Sequence, residues 1–421
     1  MTTRSKSKDA IPKKTEIIIK NLGIALMLFA LGIMLILFTF SSPYVKRLFD
    51  SLESMIIIFL FVTILFGVGF GLFKYNYKII QNKKEILINL SLLVISLTFS
   101  MVLIDVCLFF LLPQNVIEDS KYSWDEPAYV NKTFEVLDLD LSKHLVNYIT
   151  YERGFKRFST PDSNKIKILV LGDSFTKAGT VSNGEEYYAY LERNPEIQLF
   201  AKGVMGWGTL QEYLFLNETY DSIKPDIIIL QFSSNDFINN DYFLEKNSFY
   251  HNNEHLRPYL EDNQIVYKDP TKYKLPEVIK RLRITKFLSY KLRTLLMMFR
   301  RRTSGTVEDE INEKGEEYLP FAKSVNTTSK IMNMIKSVNP DTKVFAFIFD
   351  QRELNTTSSF EKIMKENNIE VIHGVTESVI KHSKDICVYN SDSLHWNKEG
   401  HRLAGMVISN YINDYLDKNI K

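Results

Sequence analysis

A serine, a histidine and an aspartate can carry out acyl transfer once a fold brings them together. The candidates are Ser174, in Gly172-Asp173-Ser174-Phe175, and His395, three residues after Asp392 in Asp392-Ser393-Leu394-His395. A serine hydroxyl is a poor nucleophile until a base takes its proton. An imidazole can do this near neutral pH, and a carboxylate can hold the ring in the right tautomer. A spacing of three lets one turn of chain set Asp392 and His395 on the same side. A developing oxyanion needs donors aimed at it. Two further blocks offer them: Gly203-Val204-Met205-Gly206-Trp207-Gly208 and Ser233-Ser234-Asn235-Asp236. Glycine permits close backbone approach, which suits Gly206, and Asn235 can supply a side-chain N–H. Each block alone has a plainer reading. Gly-Asp-Ser is a common turn, Asn235-Asp236 is a good helix start, and Asp392 with His395 could be a surface pair. Asp392, His395 and His401 are also conceivable zinc ligands. Zinc would leave Ser174 and Asn235 unexplained, and no fourth ligand is nearby, so neither metal nor cofactor is expected.

The elements that would position these residues alternate. Apolar, strand-like runs occur at 166–171, 197–200, 226–232, 343–349 and 369–372. Helix-like segments fall at 185–193, 209–223, 318–338, 358–367 and 399–418, and in 318–338 and 399–418 the apolar residues recur at three- and four-residue spacing. Near-continuous Val/Ile/Leu strands with helical crossovers indicate a parallel sheet covered on both faces. Sites in such sheets form at the carboxyl ends of the strands. Ser174 follows the first strand there, and Asn235 follows the third.

In this order and on these elements the four blocks resemble the SGNH (GDSL-type) hydrolase family, over about 166–418. "GWGTLQEYLFL", "RPYLEDNQIV" and "HWNKEGHRLAG" are looser features of the same resemblance. It implies a flavodoxin-like, three-layer α/β/α domain with a mainly parallel five-stranded sheet. It implies Ser174 as nucleophile, His395 as base and Asp392 as the residue that orients the base. It also implies an oxyanion hole from the N–H groups of Ser174 and Gly206 and the side chain of Asn235. Two positions depart from the family pattern. Ala201 stands where the second block often has Asn, and Ser233 where the third often has Gly.

Upstream, three apolar segments at about 22–40, 55–73 and 86–112 read as transmembrane helices. The first two have a length of about 28 Å as helices, close to the hydrocarbon thickness of a bilayer, and the third is longer. The first follows a polar basic tail (1–20) and has no small-residue cleavage site after it, so it reads as an anchor. Arg4, Lys6, Lys8, Lys13, Lys14 and Lys20 precede it. Lys46 and Arg47 lie in the first loop, and Lys74, Lys78, Lys83 and Lys84 in the second. The positive-inside rule then places the N-terminus in the cytoplasm and everything after Pro113 outside. Asp105 in the third span has two readings, an intramembrane carboxylate or an interfacial residue.

The expected organisation is a basic tail (1–20), a membrane domain (21–113), a polar connector (114–160) and an extracytoplasmic domain (161–421) with an insertion at about 238–316. Within the insertion, 278–302 carries nine Lys or Arg and no acid. It reads either as a basic amphipathic helix on an anionic surface or as a helix packed on the domain. The formal net charge is +2, which makes no general case for nucleic-acid binding, and Cys107 and Cys387 give no disulfide framework.

The resulting expectation is a membrane-anchored serine esterase that cleaves acyl esters, acetyl foremost, on a cell-envelope glycan or lipid. The same residues would serve an O-acyltransferase with a membrane-bound acyltransferase as partner and donor. A catalytically silent glycan-binding or scaffold protein is the third reading.

Overall fold

The structure is a computed structural model that describes residues 118–120, 122–248, 255–270, 306–349 and 354–419, together with Ile24 and Met27. Apart from those two residues, the segments at 22–40, 55–73 and 86–112, Asp105, and the basic stretch 278–302 lie outside the described residues. Among the described residues no helix is long and apolar enough to cross a membrane. The chain divides into two compact units, Met1–Pro113 with Pro276–Arg293 and Gln114–Leu275 with Thr294–Lys421. Every element named below belongs to the second.

Two hairpins come first. β1 (Glu118–Ser120) pairs antiparallel with β2 (Ser123–Asp125), and β3 (Asn131–Leu137) with β4 (Lys143–Ile149). The stretch expected as a plain connector over 114–160 is therefore folded, and it is fixed by buried Tyr122, Trp124, Val146 and Tyr148. The pattern is hard to read because β3 has no fully buried residue and β4 sets exposed Leu145 beside buried Val146, so apolar and polar residues do not alternate cleanly.

The central strands are β5 (Ile166–Gly172), β6 (Ile197–Gly203) and β7 (Ile227–Phe232). The insertion adds an antiparallel hairpin, β8 (Arg257–Glu261) with β9 (Gln264–Lys268). β10 (Lys343–Ile348) and β11 (Glu370–Val371) complete the main sheet, whose order is β11-β10-β7-β5-β6 with every pair parallel. Numbered within the sheet this is 2-1-3-4-5, the flavodoxin-like order, with its switch point between β5 and β7. The expected strand at 369–372 contracts to two residues.

The helices are α1 (Ser174–Lys177), α2 (Thr209–Ile223), α3 (Ser234–Asn239), α4 (Tyr242–Asn247), α5 (Val307–Lys314), α6 (Leu319–Val338), α7 (Leu354–Glu366), α8 (Val375–His382) and α9 (Lys398–Asn419). The expected helix at 185–193 is a 3-10 helix over Tyr187–Arg193. Seven residues are too few for the apolar spacing to separate the two periods.

Alternate strand residues feed two cores. Leu169, Leu171, Leu230 and Ala346 pack with Phe215 of α2 and Ile331 of α6 on one face. Ile168, Val170, Ile229 and Phe347 pack with Tyr187, Ile408 and Ile412 on the other. Burial on both faces explains why these strands read as unbroken apolar runs. Each of the Leu, Ile, Val and Phe side chains among them contributes about 1.5–3 kcal/mol on burial.

Candidate active site

The last residue of β5, Gly172, has no room for a side chain. A Cβ there would lie 2.3 Å from Thr176 Oγ1 and 2.4 Å from Gln231 Oε1. Those two atoms hydrogen-bond each other at 3.0 Å, and Gln231 Oε1 also accepts from the Asp173 N–H at 3.1 Å. Gln231 Nε2 donates to Ser233 Oγ at 2.8 Å. One glutamine on β7 thus ties the exit of its own strand to the exit of β5. Asp173 caps α1, its Oδ1 accepting from the Phe175 N–H at 3.0 Å. Burial raises the Asp173 pKa, and the Phe175 N–H, His395, Ser233 and Gln231 pull it back in part. The cap leaves Ser174 as the first residue of the helix, half-buried at the sheet edge.

His395 reaches this serine from the far end of the chain. Its Nε2 lies 2.8 Å from Ser174 Oγ, and its Nδ1 lies 2.5 Å from Asp392 Oδ2. A proton on Nδ1 satisfies both contacts, leaving Nε2 to accept from the hydroxyl. Asp392 Oδ1 accepts the N–H groups of Leu394 at 2.8 Å and His395 at 2.9 Å. Desolvation pulls the Asp392 carboxyl upward. The hydrogen bond and charge of His395 and the two backbone amides outweigh it and hold the carboxyl below its ordinary range. The short turn needs Ser393 at φ 58°, and Asn390 braces it, its N–H donating to His395 O at 2.9 Å and its Nδ2 to Trp396 O at 2.9 Å. The ring of Phe175 stacks on His395 with centroids 4.7 Å apart.

Gly206 sits after β6 with φ +74°, a conformation that favours glycine. Asn235 is the second residue of α3, half-buried, in a turn closed by the Ser233 N–H on Asp236 Oδ2 at 2.8 Å. Among the described residues, the N–H groups of Ser174 and Gly206 and the Asn235 amide make no hydrogen bond. The three residues follow adjacent parallel strands, β5, β6 and β7, at the same sheet edge. Three donors on the edge that carries a base-paired serine can polarise a carbonyl and stabilise a tetrahedral adduct.

The loop that carries Gly206 is held from outside. Trp124 Nε1 donates to Met205 O at 2.9 Å, and Trp207 Nε1 donates back to Trp124 O at 2.9 Å. Arg257, buried on β8, donates from Nη2 to Gly206 O at 2.6 Å and from Nη1 to Gln211 Oε1 at 2.8 Å. Its Nε is 2.7 Å from Glu245 Oε2, and its guanidinium lies 4.7 Å from the Trp124 ring. Arg257 lies in the RPYLEDNQIV stretch, to which the resemblance gives no role, and Trp124 lies in no motif. Both act on backbone carbonyls, which leave no spacing signal.

His401 is kept apart from the site. It is buried, and its Nδ1 accepts from the Tyr187 N–H at 3.3 Å. Beneath the site, burial raises Glu212 and Asp236 well above the ordinary carboxyl range, with repulsion from Asp236 and Asp173 adding to it at Glu212 and from Asp173 at Asp236. Of the two departures, Ser233 is the residue that Gln231 holds. Ala201 lies within β6, its carbonyl accepting from the Lys156 N–H at 2.8 Å.

Residues 168–408 match the family described as GDSL-like Lipase/Acylhydrolase. No curated protein matches the chain. Solved structures similar to it include a family 3 carbohydrate esterase from Clostridium thermocellum, at 14% identity and a TM-score of 0.34, covering 60% of this chain and 98% of that one. A lipase/acylhydrolase from Enterococcus faecalis is similar at 14% identity and a TM-score of 0.33, covering 59% and 96%. A psychrotrophic esterase from Pseudoalteromonas sp. is similar at 13% identity and a TM-score of 0.34, covering 60% and 100%.

Proposed function

The chain belongs to the GDSL-like lipase/acylhydrolase family and is a carboxylic-ester hydrolase, and from that premise we propose that Ser174 is its nucleophile. His395 Nε2 takes the hydroxyl proton as Oγ attacks the ester carbonyl carbon. The carbonyl oxygen becomes the oxyanion, held by the N–H groups of Ser174 and Gly206 and by the Asn235 amide. Collapse breaks the bond to the alcohol oxygen, which leaves with the proton from His395. Water then gives its proton to His395 and attacks the acyl-serine, releasing the carboxylic acid and restoring the serine. Asp392 holds the imidazole tautomer throughout. The unbroken chain Asp392–His395–Ser174, at 2.5 and 2.8 Å, carries this reading.

The substrate we infer is an acylated glycan or lipid of the cell envelope, acetyl foremost. Support comes from the three apolar segments with basic flanks, which read as an anchor with the catalytic domain outside. A fluorophosphonate probe should label the wild-type protein at Ser174 and leave Ser174→Ala unlabelled. Equal labelling of the two would remove Ser174 from the mechanism. Incubating the enzyme with an O-acetylated glycan, with and without a free sugar acceptor, reads the fate of the acyl group. Free acid in both arms supports the esterase. Acetyl transferred to the acceptor would make the protein an O-acyltransferase on the same residues.

A further inference from the structure

We propose that Trp124 is a positioning residue for the oxyanion hole, fixing through its indole N–H the peptide group whose own N–H faces the oxyanion. This rests on the assignment of the Gly206 N–H to the hole. The carbonyl of Met205 and the N–H of Gly206 are the two ends of one planar trans peptide. Holding the oxygen at 2.9 Å from Trp124 Nε1 therefore fixes the direction of the N–H at the other end. The turn's own hydrogen bond, from the Trp207 N–H to Val204 O at 3.1 Å, spans this peptide but is compatible with either orientation of it. Gly206 adopts φ +74°, and glycine takes up either hand of φ at little cost, so the 205–206 peptide is free to turn over unless something grips it.

The grip is built for the purpose. Trp124 is 3% exposed, and its position is locked by the return bond from Trp207 Nε1 to Trp124 O. Arg257 clamps the next carbonyl, Gly206 O, so the carbonyls on both sides of the Gly206 Cα are held by residues from outside the loop. A hydrogen bond accepted at the peptide oxygen also polarises the amide and makes its N–H a stronger donor. Trp124 lies outside the family-matching stretch 168–408. This part of the site is supplied by the hairpin that precedes the family domain.

Trp124→Phe in the full-length protein keeps an aromatic ring beneath Arg257 and removes the N–H. Steady-state hydrolysis of p-nitrophenyl acetate is measured per active site, with sites counted by end-point fluorophosphonate labelling. Deleting one oxyanion donor lowers kcat by roughly 10²–10³-fold, and a donor left in place but unaimed should lower it by about tenfold or more. KM should stay within about twofold and the titratable fraction should match wild type. Unchanged kcat per titrated site overturns the proposal. So does a fall confined to the titratable fraction, which is what a packing role alone would give. If Trp124→Phe fails to fold, benzothienylalanine at position 124 keeps the bicyclic shape without the N–H and is held to the same criteria. Ser174→Ala runs alongside. If it still hydrolyses the ester, the catalytic assignment fails, whereas an inactive Ser174→Ala with a fully active Trp124→Phe sinks only the role of Trp124.

Discussion

Asn235 stands one residue inside α3 with an amide that makes no hydrogen bond among the described residues. A side chain that only packed or capped would be silent in turnover. Asn235→Ala should lower kcat by roughly 10²–10³-fold with little change in KM, because a donor to the transition state is lost and ground-state contacts are not. Steady-state kinetics on a soluble ester checks this, and a wild-type kcat would take Asn235 out of the hole. At this scale the sequence shows the groups whose chemistry demands a residue type. Ser174, Asp392 and His395, which the structure brings into hydrogen-bonding distance of one another, are legible because the proposed nucleophile, base and carboxylate have few substitutes. Gln231, Trp124 and Arg257 are not legible. Each is one of several residue types able to hydrogen-bond a backbone group, and each meets its partner across a distance in sequence that no motif records.

Helix α9 follows the loop that carries His395, and it is pinned by a histidine of a different kind. Burial, with smaller contributions from His395 and Lys156, pushes the His401 pKa down to about 3 and holds the ring neutral. Neutral Nδ1 is what accepts the Tyr187 N–H, joining α9 to the 3-10 helix at Tyr187–Arg193. In the unfolded chain a histidine titrates near 6.5. The folded pKa lies below the unfolded one, so the folded state binds fewer protons through this window. The stability contribution is complete above about pH 6.5 and is lost as pH falls toward 3, by up to roughly a few kcal/mol. Urea unfolding at pH 7, 5.5 and 4.5 should show this decline, and His401→Asn, which keeps an acceptor, should flatten it. An equally steep decline in His401→Asn would assign the acid sensitivity to other groups. The long helices and buried strands were legible because period and length agree over many residues. The 3-10 helix and the β1–β4 hairpins were not. The first spans too few residues to show its period, and the hairpins draw their order from a few aromatic side chains set among exposed positions.

Across the whole molecule, the 2-1-3-4-5 sheet explains why four distant blocks meet. Its switch point opens between β5 and β7, where crossovers leave in opposite directions and the strand ends are left uncovered. The alternation of apolar strands and helices was enough to expect that edge, although strand order itself is not written in any one segment. The outward orientation is tested on the chain as a whole. With Cys107 and Cys387 replaced by serine, a cysteine at Ser304, which lies outside the described residues, should react with a membrane-impermeant maleimide on intact cells. Protection in intact cells with reaction after lysis would place the domain on the cytoplasmic side. The hairpin that grips Met205 O has a consequence for what can be separated by cutting or recombination. A protease that released the domain between β4 and β5, or a gene fusion that moved only residues 168–408 to a new host chain, would carry away the sheet and the Asp-His-Ser relay without Trp124. With Trp124 in the proposed role, a portable catalyst from this protein begins near residue 118, some fifty residues ahead of where family resemblance begins.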